Sequence, residues 1–220
     1  MTIDVKICGL KDADSVREAV DGGAAYVGFV FYPPSPRAIS VEEAAVLAAP
    51  ARGKAKIVAL TVDADDDLLN RIVEGLRPDI LQFHGSETPQ RVRAVRETYD
   101  IPVMKAVKIG GEEDILAARA FDGYADMVLF DARPKPGEGL GLPGGNGVSF
   151  DWKLMAGLDL DIPLMLSGGL DSSNVPAAIS QSGARAVDVS SGVESAPGVK
   201  DPARVREFLA AVRNAEGVPA

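Results

Sequence analysis

The sequence contains very little cysteine, and its single cysteine is Cys8. A disulfide within the chain is therefore excluded, which favours a reducing compartment. The chain also lacks an apolar run of membrane-spanning length, and residues 1–6 (MTIDVK) do not form the apolar part of a secretory signal. These absences predict a cytoplasmic protein that does not enter a membrane.

Positive charge is in the minority, because 23 Lys and Arg residues stand against 32 Asp and Glu residues, for a net charge of −9. This balance argues against nucleic acid or an anionic membrane surface as a partner. A small anionic substrate is compatible with it if the site supplies its own positive field. His84 is the only histidine, and the sequence has no HExxH motif or Cys/His cluster, so no metal site is predicted.

Short apolar runs rich in β-branched residues alternate with helical segments along the 220 residues. Most of these runs are continuously apolar, which is typical of parallel strands buried on both faces. Eight strands that are each followed by a helix predict an α/β protein, a (βα)8 or TIM barrel, with residues 1–220 as a single domain. An open doubly wound sheet is the alternative, but it usually has fewer strands. The predicted strands are residues 5–8, 26–31, 56–62, 80–83, 103–107, 127–130, 164–167 and 186–189.

Capping signals mark several helix starts. The segment 40–43 (SVEE) is a capping box and predicts a helix over residues 41–48. The pairs 88–89 (TP) and 201–202 (DP) each place a capping residue before a proline at the first helical position. The sixth helix is predicted near residues 151–156.

Glycine-rich segments end the last two predicted strands, at 166–170 (LSGGL) and 188–192 (DVSSG). In a (βα)8 barrel both lie at the C-terminal face, where active sites are found. Loop amides often bind phosphate there, and glycine lets the backbone approach the anion closely. Two such segments on adjacent strands favour a phosphate site over a pair of tight turns.

Two residues at strand ends are suited to acid–base chemistry. Cys8 ends the first strand. A free cysteine is usually a small buried apolar residue, but at this position a thiolate can act as a base or nucleophile. Asp131 follows the sixth strand, where an aspartate is either a helix cap or a catalytic acid or base.

Arg37 and His84 follow the second and fourth strands. The stiff segment 33–36 (PPSP) precedes Arg37 and can aim its guanidinium group at a carboxylate, whereas the alternative is a solvated loop arginine. His84 either holds a loop by hydrogen bonding or contacts a ligand.

The segment 134–147 is rich in glycine and proline. A long loop at the site end of a barrel is often a lid, and a loose connection is the alternative. Residues 139–144 (GLGLPG) match the GxGxxG dinucleotide pattern. We reject that match because Pro143 interrupts it and no strand and helix flank it directly.

Taken together, these motifs resemble the phosphoribosylanthranilate isomerase family. The resemblance extends from residue 4 to about residue 205, in register with the predicted strands. It departs from the family pattern at Phe83, Ser167 and Asn146, where Leu, Ala and Thr are usual, and none of these changes removes a catalytic group. The motifs that carry it are 6–10 (KICGL), 28–31 (GFVF), 35–37 (SPR), 82–85 (QFHG), 150–152 (FDW), 167–170 (SGGL), 174–175 (NV), 188–194 (DVSSGVE) and 198–201 (GVKD).

The resemblance implies the Amadori rearrangement of N-(5-phosphoribosyl)anthranilate to 1-(2-carboxyphenylamino)-1-deoxyribulose 5-phosphate. It implies that Cys8 is the general base, Asp131 the general acid and Arg37 the ligand of the anthranilate carboxylate. The reaction has no redox step, so no cofactor is expected. The predicted substrate-binding residues are Arg37, His84, Gly168, Gly169, Asp188, Ser190, Ser191 and Gly192.

Two other functions fit parts of this pattern. One is another sugar-phosphate isomerase, or a bifunctional one that also accepts the related histidine-pathway substrate. That substrate is larger and carries two phosphates, so it calls for a second phosphate site. The other is a non-catalytic barrel that senses a phosphorylated metabolite. The presence of both Cys8 and Asp131 argues against a purely binding protein.

Overall fold

Eight parallel strands close into a barrel in the computed structural model, which describes residues 2–133, 144, 147, 149–155, 158 and 160–215. The strands pair in chain order, and the last pairs with the first, so the predicted TIM barrel is confirmed. Their bounds are β1 Asp4–Cys8, β2 Tyr26–Phe31, β3 Lys56–Thr61, β4 Ile80–Phe83, β5 Val103–Ile109, β6 Met127–Ala132, β7 Leu164–Leu166 and β8 Ala186–Val189.

Two strands extend further at their C-terminal ends than the sequence predicts. β5 and β6 each continue two residues further because Lys108 pairs with Asp131 and Ile109 pairs with Ala132. Asp131 therefore lies inside β6 rather than after it. The prediction ended both strands where their apolar runs ended. The hydrogen-bonded ladder between β5 and β6 continues beyond that point because the two strands remain paired.

The helices lie between successive strands and cover the barrel. The capping box at Ser40 and Glu43 is present, and the Thr88 side chain accepts a hydrogen bond from the Arg91 amide, so both predicted helix starts are confirmed. The helices are α1 Ala13–Asp21, α2 Val41–Leu47, α3 Asp66–Leu76, α4 Pro89–Tyr99, α5 Glu112–Ala118, α6 Val175–Ser182 and α7 Pro202–Ala215.

The predicted sixth helix is wrong in type and extent. Between β6 and β7 the described residues form a short 3-10 turn, Trp152–Met155, closed by a 3.1 Å bond from the Leu154 amide to the Asp151 carbonyl. An interval of three residues gives the 3-10 pattern, and such turns seldom run longer than one turn. Residue 156 lies outside the described residues.

A small antiparallel hairpin follows the barrel strands and was not predicted. β9 (Glu194–Ala196) and β10 (Val199–Lys200) pair after β8 and before α7. Both strands are too short to show a hydrophobic period, although Pro197-Gly198 between them is a typical turn pair.

The core has an outer layer between the barrel and its helices and an inner layer within the barrel. Side chains near the N-terminal halves of the strands fill the interior, including Tyr26, Ile80 and Met104, all less than a tenth exposed. This packing closes the bottom of the barrel, as expected for a solid barrel interior. A cavity lies above this layer, at the C-terminal ends of the strands. In the described part of the chain, no helix is long and apolar enough to cross a membrane.

Candidate active site

The cavity opens at the C-terminal ends of the strands. It brings together nine of the ten residues predicted for the site. Gly192 is not among its lining residues, because it lies against the β7–α6 loop, where a Cβ would overlap the Leu170 carbonyl oxygen. The predicted residues that line the cavity are Cys8, Arg37, His84, Asp131, Gly168, Gly169, Asp188, Ser190 and Ser191.

Cys8 ends β1 and is 4% exposed. Its partner across the ladder is Gly28 on β2, and a Cβ there would stand 3.0 Å from the sulfur. Glycine at this position therefore makes room for the thiol. Burial raises the pKa of Cys8, while the nearby ammonium group of Lys6 opposes that rise. The thiolate of Cys8 therefore forms less readily than that of free cysteine.

Asp131 projects from β6 and meets His84 at the end of β4. His84 Nε2 lies 3.2 Å from Asp131 Oδ2, and His84 Nδ1 lies 3.2 Å from the side-chain amide nitrogen of Gln82. Since that amide donates to Nδ1, the imidazole proton is on Nε2 and is donated to Asp131. Gly144 completes this corner, because a Cβ there would stand 2.6 Å from His84 Nε2 and 3.2 Å from Asp131 Oδ2.

Arg37 is 4% exposed and makes a two-point contact with Glu194 on β9. Its Nε and Nη2 each donate to a different carboxylate oxygen at 2.8 Å. The alternative of a solvated loop arginine is therefore wrong. Burial raises the pKa of Glu194, whereas the contacts with Arg37 and Lys200 lower it. The lowering is larger in total, so the pKa of Glu194 is below its usual value.

Lys200 on β10 ties this charge cluster to the glycine-rich loop after β8. Its Nζ donates to Glu194 at 2.6 Å and to the Ser190 carbonyl at 2.9 Å. The Ser190 hydroxyl in turn donates to the Cys8 carbonyl at 3.1 Å. Two cations, Arg37 and Lys200, thus surround one carboxylate. Of the two, Arg37 lines the cavity.

The loop after β7 has the backbone that its glycines suggest. Gly168 and Gly169 have φ angles of +93° and +62°, a region that side chains other than glycine rarely adopt. A Cβ at Gly168 would also stand 2.5 Å from the Ala132 amide nitrogen. Asn174 fixes the loop by donating to the Gly169 carbonyl at 2.8 Å.

Asp188 lies in β8 with both carboxylate oxygens bound by protein groups. Lys6 donates to Oδ1 at 2.8 Å, and the Ser167 hydroxyl donates to Oδ2 at 2.9 Å. Its predicted role as a substrate ligand stays a prediction. What the structure adds is an interaction with Lys6, a residue that the sequence placed only inside a motif.

The partners of the predicted residues are what sequence analysis missed. Lys6, Gln82, Glu194 and Lys200 all occur in the matched motifs, yet none had a role assigned. A charged residue inside an apolar strand is the signal that could have identified one of them, Lys6. The lid predicted for residues 134–147 falls almost wholly outside the described residues, apart from Gly144 and Gly147, which line the cavity.

Comparison with known proteins places this site in a family. The family model described as N-(5'phosphoribosyl)anthranilate (PRA) isomerase matches residues 5–211. The N-(5'-phosphoribosyl)anthranilate isomerase of Chelativorans sp. (strain BNC1) is 53% identical over 217 residues, covering 99% of each chain. That of Brucella canis is 52% identical over 219 residues, covering 100% of this chain and 98% of the relative.

Solved structures agree with the sequence relatives. The phosphoribosyl anthranilate isomerase of Thermotoga maritima superimposes with a TM-score of 0.85 at 33% identity, over 99% of this chain and 100% of that one. A phosphoribosyl anthranilate isomerase in complex with reduced 1-(o-carboxyphenylamino)-1-deoxyribulose 5-phosphate superimposes with a TM-score of 0.81 at 32% identity, over 99% and 100% of the two chains. The chain therefore belongs to the N-(5'-phosphoribosyl)anthranilate isomerase family.

Proposed function

We propose that Cys8 and Asp131 are the general base and general acid of the reaction of this family. The chain is an isomerase of tryptophan biosynthesis. It converts N-(5-phosphoribosyl)anthranilate to 1-(2-carboxyphenylamino)-1-deoxyribulose 5-phosphate. The observation that supports the two roles is their placement: a thiol from β1 and a carboxyl group from β6 face one cavity.

The rearrangement needs one proton donor and one proton acceptor. Asp131 protonates the furanose ring oxygen, which opens the sugar to an iminium ion. Cys8 then removes the proton from the neighbouring carbon, and the enolamine collapses to the ketone. A donor and an acceptor on different strands can act on two different atoms of one bound substrate.

The state of Cys8 gives this mechanism a pH dependence. Because burial raises the pKa of Cys8, the thiolate fraction increases as the pH rises towards that value. If the thiolate is the base, kcat/KM increases over the same interval.

For the substrate's anionic groups we propose two separate positions. The phosphate lies at the loops after β7 and β8, where Gly168, Gly169, Ser190 and Ser191 line one cavity. The anthranilate carboxylate lies at Arg37, whose guanidinium group Glu194 already holds in place. A preoriented guanidinium loses less entropy when it binds a carboxylate.

We further propose that residues 1–220 form one barrel domain in the cytoplasm. The strands from Asp4 to Val189 close a single barrel, and the last helix returns to the first through Arg206, which donates to Glu18 at 2.6 Å. The single cysteine supports a reducing compartment.

Turnover by two variants, Cys8→Ser and Asp131→Asn, tests the catalytic roles. We expect Cys8→Ser to fold normally and lose about 10²- to 10⁴-fold in kcat, the usual effect of removing a positioned base. Asp131→Asn keeps the shape but cannot donate a carboxyl proton, so kcat falls far more than affinity for a product analogue.

Each assignment has its own contrary result. Near-wild-type turnover of Cys8→Ser removes the thiol from the mechanism. If Asp131→Asn instead loses analogue binding and keeps its turnover of bound substrate, Asp131 orients the ligand and another group is the acid.

A further inference from the structure

We propose that Lys6, which does not line the cavity, is a positioning residue whose ammonium charge stabilises the thiolate of Cys8 from below. This inference rests on the proposed role of Cys8 as the base. Asp188 completes the arrangement because it keeps Lys6 charged in an interior that would otherwise favour the neutral amine.

The strand geometry places Lys6 and Cys8 together. They are separated by one residue on β1, so their side chains emerge on the same face of the strand, towards the barrel interior. Cys8 Sγ and Lys6 Cε stand 3.0 Å and 3.3 Å from the position that a Cβ at Gly28 would occupy. Both groups thus border one small space that glycine leaves open.

Asp188 fixes the lysine from the other side. It is the residue directly opposite Lys6 in the β1–β8 ladder, and the two side chains form an ion pair of 2.8 Å. Lys6 is fully buried, and Asp188 is held by Ser167 as well. The lysine therefore has little freedom to leave the neighbourhood of the sulfur.

The other charges that face Cys8 come from β8 and β10. Asp188 opposes thiolate formation, while Lys200 favours it but is already bound to Glu194 and to the Ser190 carbonyl. Lys6 is the strongest of the groups that lower the pKa of Cys8, and its effect exceeds the opposing effect of Asp188. The pair as a whole therefore favours the thiolate.

Stability gives no sufficient reason for this pair to be present. Removing two charges from water is costly, and replacing a buried ion pair with apolar residues of similar volume is often neutral or stabilising. A lysine at this position is therefore better explained by its charge next to the catalytic sulfur than by the folding of the barrel.

The test is a pH titration of the thiol in the whole protein, followed by ultraviolet absorbance of the thiolate and by the rate of iodoacetamide alkylation. Since Cys8 is the only cysteine, the alkylation signal belongs to it alone, and subtracting the absorbance of Cys8→Ser removes the contribution of the four tyrosines. We expect Lys6→Met to raise the titration midpoint by about one pH unit or more and to slow alkylation at neutral pH about tenfold. The pH profile of kcat/KM shifts to higher pH by the same interval.

Lys105→Met is the matched control. Lys105 is a buried lysine paired with Glu87 at 3.0 Å, but it lies on β5, across the barrel from β1. The Lys105→Met variant loses the same kind of buried ion pair as Lys6→Met, so it reports any general effect of that loss on the fold. We expect it to leave the thiol titration unchanged.

The double variant Lys6→Met/Asp188→Asn separates the lysine charge from the unpaired carboxylate that the single variant leaves behind. It removes both charges, so it is expected to fold even if the single variant does not. We expect its titration midpoint to lie above that of the wild type and below that of Lys6→Met.

A double variant that titrates like wild type overturns the proposal. So does a Lys6→Met midpoint that shifts no more than that of Lys105→Met. Full turnover by Cys8→Ser would instead contradict the role of the base and leave the titration result intact.

Discussion

At the scale of single residues, the proposed acid, Asp131, directly contacts a histidine, His84. His84 links Gln82 to Asp131 through its two ring nitrogens, at 3.2 Å on each side. All three side chains are less than a tenth exposed, so water does not compete freely for these bonds. The histidine is therefore placed to orient the carboxyl group, whether or not it also touches substrate.

Replacing His84 tests this orientation. His84→Asn is too short to span the interval between Gln82 and Asp131, so the carboxyl group loses its fixed partner. We expect kcat to fall by up to about 10²-fold, the effect of a misplacement near 1 Å, with a smaller change in KM. Steady-state kinetics and titration with a product analogue separate the two effects.

Ser86→Ala on the same loop is the control for His84. The Ser86 amide donates to Asp63 at 2.7 Å, and this backbone contact survives the change. We expect its kinetics to match wild type. An unchanged kcat with a raised KM in His84→Asn would assign the histidine to substrate binding instead.

Sequence analysis proposed the candidate reactive residues but not the side chains that contact them. Cys8 was proposed because it ends a strand and Arg37 because it follows the stiff segment 33–36, and both are local properties. The ion pairs around them join residues that are remote in the chain: Lys6 and Asp188 are 182 positions apart, and Arg37 and Glu194 are 157 apart. Such pairs are decided by barrel closure and register, which no single stretch of sequence encodes.

At the scale of secondary structure elements, the β9–β10 hairpin supports the loop that carries Arg37. Gly198 has a φ angle of +78°, and a Cβ there would overlap the Pro36 carbonyl oxygen, so hairpin and loop approach closely. Glu194 begins the hairpin and Lys200 ends it. The hairpin therefore brings both Glu194 and Lys200 close to Arg37.

Glu194→Gln tests the contribution of the hairpin to stability. The pKa of Glu194 is below its usual 4.5 in the folded protein, so its stabilising effect is complete above that value and is lost as the pH falls through the lower, folded value. At neutral pH the variant leaves two buried cations without their carboxylate, and we expect a loss of about 3–5 kcal/mol in unfolding free energy. Urea unfolding measured from neutral to strongly acidic pH should show the two curves converging at low pH.

Glu97→Gln is the comparison for that experiment. Glu97 accepts a 2.7 Å bond from Arg93 on the exposed face of α4, and surface pairs of this kind contribute about 0–1 kcal/mol. A Glu194→Gln deficit that stays constant across the pH range would show that the lost contribution is packing rather than charge. KM of Glu194→Gln should also rise, because Arg37 loses its orientation.

At the scale of the whole molecule, barrel closure was predictable because eight apolar runs alternate with helices. The 3-10 turn Trp152–Met155 was not predictable, because four residues carry no helical period. The barrel is also uneven in its pairing. β2 and β3 pair along their full length, from Tyr26 with Lys56 to Phe31 with Thr61, whereas β7 and β8 share register at Leu166 and Val187 alone.

The short β7–β8 ladder lies directly below the proposed phosphate position. The Ser167 hydroxyl bridges it to Asp188, and the Gly192 backbone approaches the Leu170 carbonyl above it. Elements with few ladder bonds open locally more often than the rest of a fold. We therefore expect amides of β7 and β8 to exchange hydrogen faster than those of β2 and β3 in the unliganded protein.

Bound phosphate should reverse this difference in hydrogen exchange, because an anion that contacts both loops holds β7 and β8 together. At a concentration about 100 times its dissociation constant, inorganic phosphate stabilises the form that binds it by about 2.7 kcal/mol. This corresponds to a roughly hundredfold slower rate of hydrogen exchange. We expect the slowing to concentrate in β7, β8 and their loops, with chloride at equal ionic strength as the control. Protection that appears around Arg37 instead would place the phosphate at the β2 side of the cavity. Equal slowing in every strand would show that the β7–β8 pairing opens only when the whole barrel unfolds.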